Sequence, residues 1–525
     1  MPDSQTDDRV SSPRLRGAVW AMAGILLFAL SAAWAVATPL MASPDETSHV
    51  VKAAAVARGQ WSGTLGASPS DTTRPGAATT VRLPADLAAS VVLPNCFAFH
   101  PEITASCAPG LPARTDRTVP VETFAGQYPP LYYALVGWPS LFLTGRKALF
   151  AMRLVSAAIS AAMLLWGAFR LRAVPRNALT LWGAAVAVTP MCLFLAGTVN
   201  PTGWEIAVAF SFWAACLAIV SPHGPGRTSA LVQAVVCGAL LINIRASSPV
   251  WALVIVVVAL VVAPPGRIRE LIGHRLARPL GAVAVLASIA ALGWLLTHGS
   301  AVSAHHLFPQ YTDPKVALLA ITGWSYRYLQ EMIGNFGWLD TPAPAVTYVA
   351  WHVAAGCLIL IALSAAVRAR SKVGLCLLVA GVGAAPFLQF PSMADAGLIW
   401  QGRYTLPIAV GVPLLAALLA GQQHPQAVEL LRRVFRGSLP LIVVGHVAAF
   451  YWAARRYSEG ANGELITLHP DWSSPIGFLT GTALYAVLCT ALGVLIWRSA
   501  RPARLDDGLD DEPDAAPDSQ VTAVA

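Results

Sequence analysis

Apolar runs recur along the whole chain, and they constrain its fold more than any other feature. Many of these runs are about 20 residues long, the length that a helix needs to cross the hydrocarbon core of a bilayer. Of the 525 residues, 56% are hydrophobic and only 12% are charged, whereas a soluble domain carries about 25% charged residues. So few charges cannot cover a water-facing surface. The sequence therefore predicts an all-α polytopic membrane protein.

Twelve spanning helices are predicted. The first run ends in an A-x-A-like sequence, as a signal peptide does, but further spans follow it, so we interpret it as an uncleaved anchor. The runs that end near Ile244 and Trp452 are short, which predicts tilted or broken helices there. The predicted spans are 18–37, 149–169, 179–195, 205–220, 230–244, 250–262, 280–296, 346–367, 373–390, 404–419, 439–452 and 476–497.

Basic residues predict the orientation of these spans. Clusters of Arg and Lys precede the first span and follow every even-numbered span, and such clusters face the cytoplasm. Because the net charge of +8 is divided among these clusters, it does not indicate a nucleic-acid partner. The strong preference for Arg over Lys suggests a bacterial genome. We therefore predict a multi-pass protein of the bacterial plasma membrane with both termini in the cytoplasm.

The same pattern divides the chain into regions. Residues 1–17 are predicted to be a cytoplasmic tail, 18–498 the membrane domain, and 499–525 a disordered acidic cytoplasmic tail. Two long outer loops are predicted, a first at 38–147 and a second at 298–347. Of the eight cysteines, Cys96 and Cys107 lie in the polar first loop. A disulfide between these two is left open, because it depends on an oxidising compartment.

Polar residues that are unusual in so apolar a chain gather at span ends on the predicted outer side. The segment PDETSH follows the first span, and further ionisable residues stand near the starts of later spans. An ionisable group at a membrane boundary is a functional hypothesis by default, although a helix-end group can also snorkel. The candidates are Asp45, Glu46, His49, Lys52, Asn200, Glu205, Arg245, Asp340, Asp395 and Arg403.

The first group also has structural interpretations. Asp45 follows Pro44 and could cap a helix that begins near Glu46. Glu46 and His49 are three residues apart and would share a helical face, so they could hold a metal ion. Lys52 continues that face and could form a surface ion pair. A divalent metal therefore stays open, and no other cofactor is indicated.

The later candidates have structural interpretations too. Arg403 could anchor at the lipid headgroups, and Glu205 could be an acid in the first turn of a helix. Asp340 could cap the turn before Pro342. The sequence alone does not decide between these roles and a shared site.

Five short motifs occur in order: PDETSH, QYPPLYY, GTVNPTGWEIA, GNFGWLDTPAP and QGRYTLP. Together they resemble a large bacterial family of multi-spanning membrane proteins of unknown function, domain-of-unknown-function family 2142, which is similar to the glycosyltransferase-C (GT-C) superfamily. The resemblance covers about residues 14–497. It implies a GT-C-like fold, a polyprenyl-phosphate sugar donor, an inverting transfer on the outer membrane face, and a catalytic carboxylate that maps onto Asp45 or Glu46.

The residues agree with transfer from a lipid-linked donor to an envelope glycan or lipid-linked acceptor. The acceptor hydroxyl needs a base, and we prefer Asp45 to Glu46, whose helical face carries groups that could neutralise it. Arg403 and Arg245 are candidates to bind the donor phosphate. Further candidate substrate contacts are His49, Lys52, Asn200, Glu205, Trp338, Asp340 and Tyr404, with Tyr128, Tyr132 and Tyr133 as additional aromatic surfaces or members of an aromatic belt.

Two other functions are compatible with the sequence. A transporter or flippase of lipid-linked glycans would place ionisable groups near the bilayer midplane, often within inverted repeats. The predicted spans contain few acidic residues or lysines, and the sequence has no evident repeat. A non-catalytic protein of envelope assembly is the second alternative.

Overall fold

The computed structural model describes residues 13–65, 78–113, 117–172, 174, 177–221, 227–298, 307–365, 367–423, 425–466 and 468–499. The predicted acidic tail and most of the N-terminal tail lie outside these residues. The described α-helices are α1 Pro13–Ala37, α2 Glu46–Ala57, α3 Ala85–Ala88, α4 Leu131–Gly137, α5 Pro139–Phe142, α6 Gly145–Leu171, α7 Asn177–Ala187, α8 Pro190–Ala196, α9 Pro201–Val220, α10 Arg227–Leu241, α11 Ser248–Val262, α12 Arg267–Ile272, α13 Ala277–His298, α14 Pro314–Gly323, α15 Ser325–Ile333, α16 Ala345–Ser364, α17 Ala369–Ala384, α18 Met393–Ala396, α19 Leu406–Ala409, α20 Gly411–Ala420, α21 Pro425–Glu459 and α22 Phe478–Ser499.

Two small antiparallel sheets and several 3₁₀ turns complete the described fold. The strands β1 Thr64–Leu65, β2 Thr79–Pro84 and β3 Thr118–Thr123 form one sheet in that order. The strands β4 Asn335–Phe336 and β5 Thr341–Pro342 form the other. The 3₁₀ turns are Ala89–Val92, Ala105–Cys107, Pro309–Thr312, Ala385–Ser392 and Gly402–Tyr404.

Apolar helices in the described residues match the twelve predicted spans. Eight helices are long and apolar enough to cross a bilayer, and α7 and α8 together form a ninth, bent span. Three shorter apolar helices, Arg227–Leu241, Ser248–Val262 and Leu406–Ala420, take the remaining positions. The prediction of an all-α multi-pass membrane protein is confirmed.

The structure confirms one of the two predicted short spans and corrects the other. The run that ends near Ile244 belongs to α10, which has only 15 residues. The span that ends near Trp452 belongs to α21, which has 35 residues. The apolar run is only one part of α21, which also includes an arginine-rich segment. Hydropathy alone therefore underestimates the length of this helix. The break lies instead between α7 and α8, which bend by 64°. Pro190 begins α8 and cannot donate the backbone hydrogen bond that would continue α7.

Helix α9 is the centre of the bundle, since all 20 of its residues are buried. It packs against α6, α10, α11 and α8. Its residues are apolar on every side, as expected for a helix enclosed by other helices. The N-terminal end of α9 therefore lies within the protein at one end of the bundle, where the candidate polar residues converge.

The segment predicted as the first outer loop is folded at the same end of the bundle. Helix α2 packs against β2 and β3, and the Thr123 hydroxyl donates a hydrogen bond to the Ser48 carbonyl at 2.8 Å. Cys96 and Cys107 are joined by a disulfide, which settles the pairing that the sequence left open. This layer covers the polar end of the bundle.

Labelling of single cysteines is expected to confirm the predicted orientation. Asn462, exposed in the loop between α21 and α22, and Arg269, exposed in the basic segment after α11, lie in loops on opposite predicted sides. A membrane-impermeant thiol reagent should label Asn462→Cys in intact cells and Arg269→Cys only after permeabilisation. The reverse pattern, with the unsubstituted chain as background, would contradict the orientation.

Candidate functional site

Asp45 forms an ion pair with Arg403. The Arg403 Nη2 atom donates to Asp45 Oδ2 at 2.5 Å, although 358 residues separate the two in the chain. The Arg403 side chain is 1% exposed, while that of Asp45 is 48% exposed. Arg403 is therefore an interior cation and not a headgroup anchor, and Asp45 is its partly accessible partner.

The backbone at Asp45 directs its side chain away from a capping role. Asp45 is the N-cap residue of α2 but has φ 61° and ψ 5°, and its side chain makes no capping hydrogen bond. Aspartate tolerates this left-handed conformation better than most residues. The interpretation of Asp45 as a simple helix cap is therefore wrong, because its carboxylate binds Arg403 instead.

Electrostatics keep Asp45 ionised. Burial raises the pKa of Asp45, but the charge and hydrogen bond of Arg403, together with the nearby His49 and Arg245, outweigh burial, so that the pKa falls below its usual value. Asp45 is therefore a carboxylate at neutral pH. In that form it can accept a proton, and it becomes a stronger base if Arg403 is drawn to another anion.

Arg245 forms the second ion pair of the cluster. Its Nη1 atom lies 3.4 Å from Glu205 Oε2 and 3.2 Å from the Thr202 hydroxyl. The Ser248 hydroxyl donates to Glu205 Oε1 at 2.6 Å. Glu205 is fully buried in α9. Its role as a first-turn helix acid is thus not what the structure shows, since its charge is directed to Arg245.

The ring of Tyr404 joins the two ion pairs. The Arg245 guanidinium carbon lies 4.5 Å from its centroid and that of Arg403 lies 4.9 Å away. Tyr128 is also near Arg245, with 5.8 Å from the guanidinium to the ring centroid. The two arginines are thus held on one aromatic side chain, and this brings two positive charges together beside the Asp45 carboxylate. We call Asp45, Glu205, Arg245, Arg403 and Tyr404 the charged cluster.

Segment 400–404 is fixed by side chains that the sequence did not single out. Glu331 accepts a hydrogen bond from the Gly402 backbone N–H at 2.7 Å, and Arg327 pairs with the same carboxylate at 3.0 Å. Gln389 accepts from the Trp400 N–H at 2.8 Å. The alternation of apolar and polar residues in α15 is typical of an amphipathic helix. That pattern does not indicate that Glu331 binds the Gly402 backbone. Only the tertiary structure reveals this contact.

His49 lies beside the charged cluster. Its Nδ1 atom is 2.9 Å from the Tyr133 hydroxyl, and its ring centroid is 5.7 Å from that of Tyr128. Burial lowers the pKa of His49 to about 3; Asp45 opposes this shift and Arg403 adds to it. The imidazole is therefore neutral at physiological pH. His49 is therefore an uncharged hydrogen-bonding group next to the charged cluster.

Glu46 is committed to a different partner. Arg153 of α6 binds it through two contacts, Nε to Oε1 at 2.7 Å and Nη2 to Oε2 at 2.6 Å, and both side chains are 1% exposed. The Val199 N–H also donates to Glu46 Oε1 at 3.1 Å. The expectation that His49 or Lys52 neutralises Glu46 is therefore wrong. The cation that neutralises Glu46 is Arg153, which lies within an apolar run of the sequence.

Lys52 and Asn200 make backbone contacts around the cluster. The Lys52 ammonium donates to the carbonyls of Trp61 and Gly126, and burial lowers its pKa to about 8. A surface ion pair is therefore not its role. Asn200 caps α9 through the Thr202 N–H at 3.0 Å and donates to the Pro44 carbonyl at 3.0 Å, directly before Asp45.

Asp340 and Trp338 lie outside the charged cluster. Asp340 accepts from the Phe99 N–H at 3.0 Å and from Arg456 at 3.3 Å, so it fixes the loop that carries Phe99 and does more than cap a turn. The Trp338 indole donates to the Met41 carbonyl at 3.1 Å. Asp395 lies in the short helix α18.

The described residues contain no group of three His, Cys, Asp or Glu side chains that could hold a metal ion. The proposed Glu46–His49 pair is not formed, because Glu46 faces Arg153 and His49 faces Tyr133. What the described site offers instead is two arginines, a partly exposed carboxylate and aromatic rings. This set is suited to an anionic ligand group next to a proton acceptor.

A family profile described as "Predicted membrane protein (DUF2142)" matches residues 28–412, about three quarters of the chain. The chain belongs to this family. The matched region includes the C-terminal part of α1, all of α2 and α9, and segment 400–404, so all members of the charged cluster lie within the DUF2142 region. No curated protein matches the sequence significantly.

Two solved structures resemble the overall fold of this DUF2142 protein. One is ArnT from Cupriavidus metallidurans bound to undecaprenyl phosphate, with 13% identity, a TM-score of 0.43, and coverage of 93% of this chain and 78% of that chain. The other is the same protein in the apo state, with 12% identity, a TM-score of 0.44 and the same coverage.

Proposed function

We propose that this protein is a membrane glycosyltransferase that moves a sugar from a polyprenyl-phosphate donor to an envelope glycan or a lipid-linked acceptor. The observation that carries the proposal is the charged cluster, in which a partly exposed carboxylate meets two buried arginines at one end of an apolar bundle. The motif resemblance to a family similar to the GT-C superfamily supports the same class of reaction.

Arg403 and Arg245 are proposed to bind the donor phosphate. The guanidinium fork matches the geometry of phosphate oxygens, and two cations on one tyrosine ring attract a charged headgroup. The cluster lies at the end of spanning helices, and the phosphate of a lipid-linked donor lies at the same depth in the bilayer. Glu205 holds Arg245 in place through its 3.4 Å contact, so Arg245 acts from a fixed position.

Asp45 is proposed to be the base. The acceptor oxygen attacks the anomeric carbon while its proton passes to Asp45. The bond from that carbon to the phosphate oxygen breaks, and its electron pair leaves with the polyprenyl phosphate. The two arginines stabilise the charge that develops on the leaving group. A single displacement of this kind inverts the anomeric centre.

Donor binding would activate Asp45 through Arg403. In the free protein Arg403 pairs with Asp45, and this keeps the pKa of that carboxylate below its usual value. A donor phosphate competes for the same guanidinium and weakens its hold on Asp45. The carboxylate then becomes more basic when the substrate is present, so phosphate binding and proton acceptance are coupled.

The position of the cluster favours transfer over transport. Its carboxylates and arginines lie at one end of the bundle, around the N-terminal ends of α2, α9 and α11. A flippase needs polar groups along the path between the two leaflets. The phosphate of a lipid-linked donor and the hydroxyl groups of a glycan acceptor, lipid-linked or not, both lie at the membrane boundary.

Arg403→Lys is expected to reduce sugar transfer about 10- to 150-fold, since a hydrogen bond to a charged group contributes roughly 1.5–3 kcal/mol and lysine lacks the fork. The measurement is transfer of labelled sugar from a polyprenyl-phosphate donor by membranes that contain equal amounts of each variant. A weaker hold on Asp45 should also move the acid limb of the pH–rate profile to higher pH.

Arg82→Lys is the matched control, because Arg82 is exposed on β2 of the outer layer. It should transfer sugar at the wild-type rate. An Arg403→Lys variant with full activity and an unchanged pH profile would remove Arg403 from phosphate binding. If the wild-type protein transfers no sugar from any polyprenyl-phosphate donor, the glycosyltransferase proposal itself fails.

A further inference from the structure

We propose that a cleft next to the charged cluster binds a neutral saccharide chain through stacking on Phe99 and Trp338. Its volume is about 380 Å³. Among the residues that line it are the aromatic Phe99, Phe124 and Trp338 and the polar Thr47, Ser48 and Asn95. That this saccharide is the acceptor rests on the proposed function, but the binding of a saccharide does not.

Two aromatic side chains of the cleft are exposed to solvent, although the segment that carries them is folded. Phe99 is 67% exposed and Phe124 is 40% exposed. The rings of Phe99 and Trp338 lie 5.5 Å apart, centroid to centroid. Aromatic faces beside hydroxyl and amide groups provide both surfaces that a sugar ring needs, an apolar face to stack on and partners for its hydroxyls.

The loop that presents Phe99 is held firmly in a strained form. Phe99 has φ 65°, a conformation that a bulky side chain rarely adopts. Its N–H is bound by Asp340 at 3.0 Å, and the disulfide of Cys96 and Cys107 closes the loop around it. Arg456 donates to three carbonyls of the same loop, those of Phe97, His100 and Ile103.

The exposed position of Phe99 indicates a ligand site. Strain that is held in place by surrounding contacts concentrates at such sites. If packing were the purpose of the loop, Phe99 would be buried, yet its side chain is 67% exposed. The contacts instead hold the Phe99 ring exposed to water. Its apolar surface is buried only when a ligand covers the ring.

Trp338 and α2 connect the cleft to the charged cluster. The Trp338 indole is fixed by the Met41 carbonyl at 3.1 Å, shortly before Asp45 in the chain. Thr47 and Ser48 stand in the first turn of α2, which begins directly after Asp45. At about 1.5 Å of rise per residue, they lie within about 5 Å of Asp45 along the helix axis. A saccharide in the cleft would thus bring one end to the proposed base.

The charge of the lining points to a neutral ligand. Among the described residues that line the cleft, none is an arginine or lysine, and Glu122 is acidic. The lining therefore offers no cation to an anionic headgroup, in contrast to the charged cluster. The two regions would divide the substrates, with the phosphate of the donor at the arginines and the neutral sugar chain at the aromatic rings.

Glycan binding without donor tests the inference. The full chain in lipid nanodiscs is applied to an array of neutral hexose and pentose oligosaccharides. Phe99→Ala and Trp338→Ala should each weaken binding about tenfold, as expected when a central aromatic contact is removed. Trp338→Phe keeps a ring and should retain part of the affinity. Trp61→Ala, which removes a 54% exposed ring outside the cleft, should bind like wild type.

The outcomes separate this inference from the proposed function. Loss of binding in the Phe99 and Trp338 variants, but not in Trp61→Ala, supports the cleft even if no sugar transfer is found. Equal binding by all variants, or no binding by the wild-type protein to any neutral oligosaccharide, overturns it. If transfer is measurable, the two cleft variants should raise the KM for the acceptor and leave that for the donor unchanged.

Discussion

Replacing Asp45 with asparagine is expected to lower sugar transfer about 10²- to 10⁴-fold, the usual contribution of a general base. Asparagine has nearly the same shape and tolerates the left-handed backbone found at this position, φ 61°. It can still accept a hydrogen bond from Arg403, but it cannot take the proton of the acceptor hydroxyl. The measurement is transfer of labelled sugar from polyprenyl phosphate at matched protein amounts.

Glu270→Gln provides the control for this experiment. Glu270 also pairs with arginines, Arg227 at 2.9 Å and Arg267 at 2.6 Å, but it lies in the basic segment after α11. Its removal should leave transfer unchanged. If Asp45→Asn transfers sugar at the wild-type rate in an assay that detects wild-type activity, Asp45 is not the base.

Removing Glu46 is expected to destabilise the protein by about 3–5 kcal/mol, the cost of leaving a buried charge without its partner. Arg153 would remain 1% exposed with no carboxylate, and the Val199 N–H would lose its acceptor. Glu46→Ala should therefore unfold at lower denaturant concentration in detergent micelles. Its loss of activity would follow its loss of folded protein.

The double variant Glu46→Ala, Arg153→Met distinguishes a pair from two separate effects. Arg153 also donates to three carbonyls, those of Ala35, Thr38 and Pro39, at 2.9, 2.7 and 2.8 Å. We expect the double variant to lose less stability than the sum of the single variants, because neither charge is then left alone. A Glu46→Ala protein as stable as wild type would contradict the structural role and reopen Glu46 as a candidate base.

Hydropathy alone located the twelve spans. A spanning helix is specified by the length and apolar composition of one continuous run, which can be counted without knowing the distant parts of the chain. The same locality explains the errors. The 35 residues of α21 exceed the predicted span because its N-terminal half is rich in arginine. The bend between α7 and α8 was missed because Pro190 counts as one more apolar residue in a hydropathy profile, although it lacks the backbone donor that would continue the helix.

The candidate residues were also visible in the sequence, but their partners were not. Asp45, Arg245, Glu205 and Arg403 stand out because charges are rare beside apolar spans. Spacing along one helix suggested that Glu46 would pair with its neighbours, yet its partner is Arg153, 107 residues away. Arg403 reaches Asp45 across 358 residues. The packing of distant helices decides that Glu46 is buried against Arg153 while Asp45 stays partly accessible. A buried charge pairs with the opposite charge that the fold brings within a few ångströms, and sequence spacing does not record that distance.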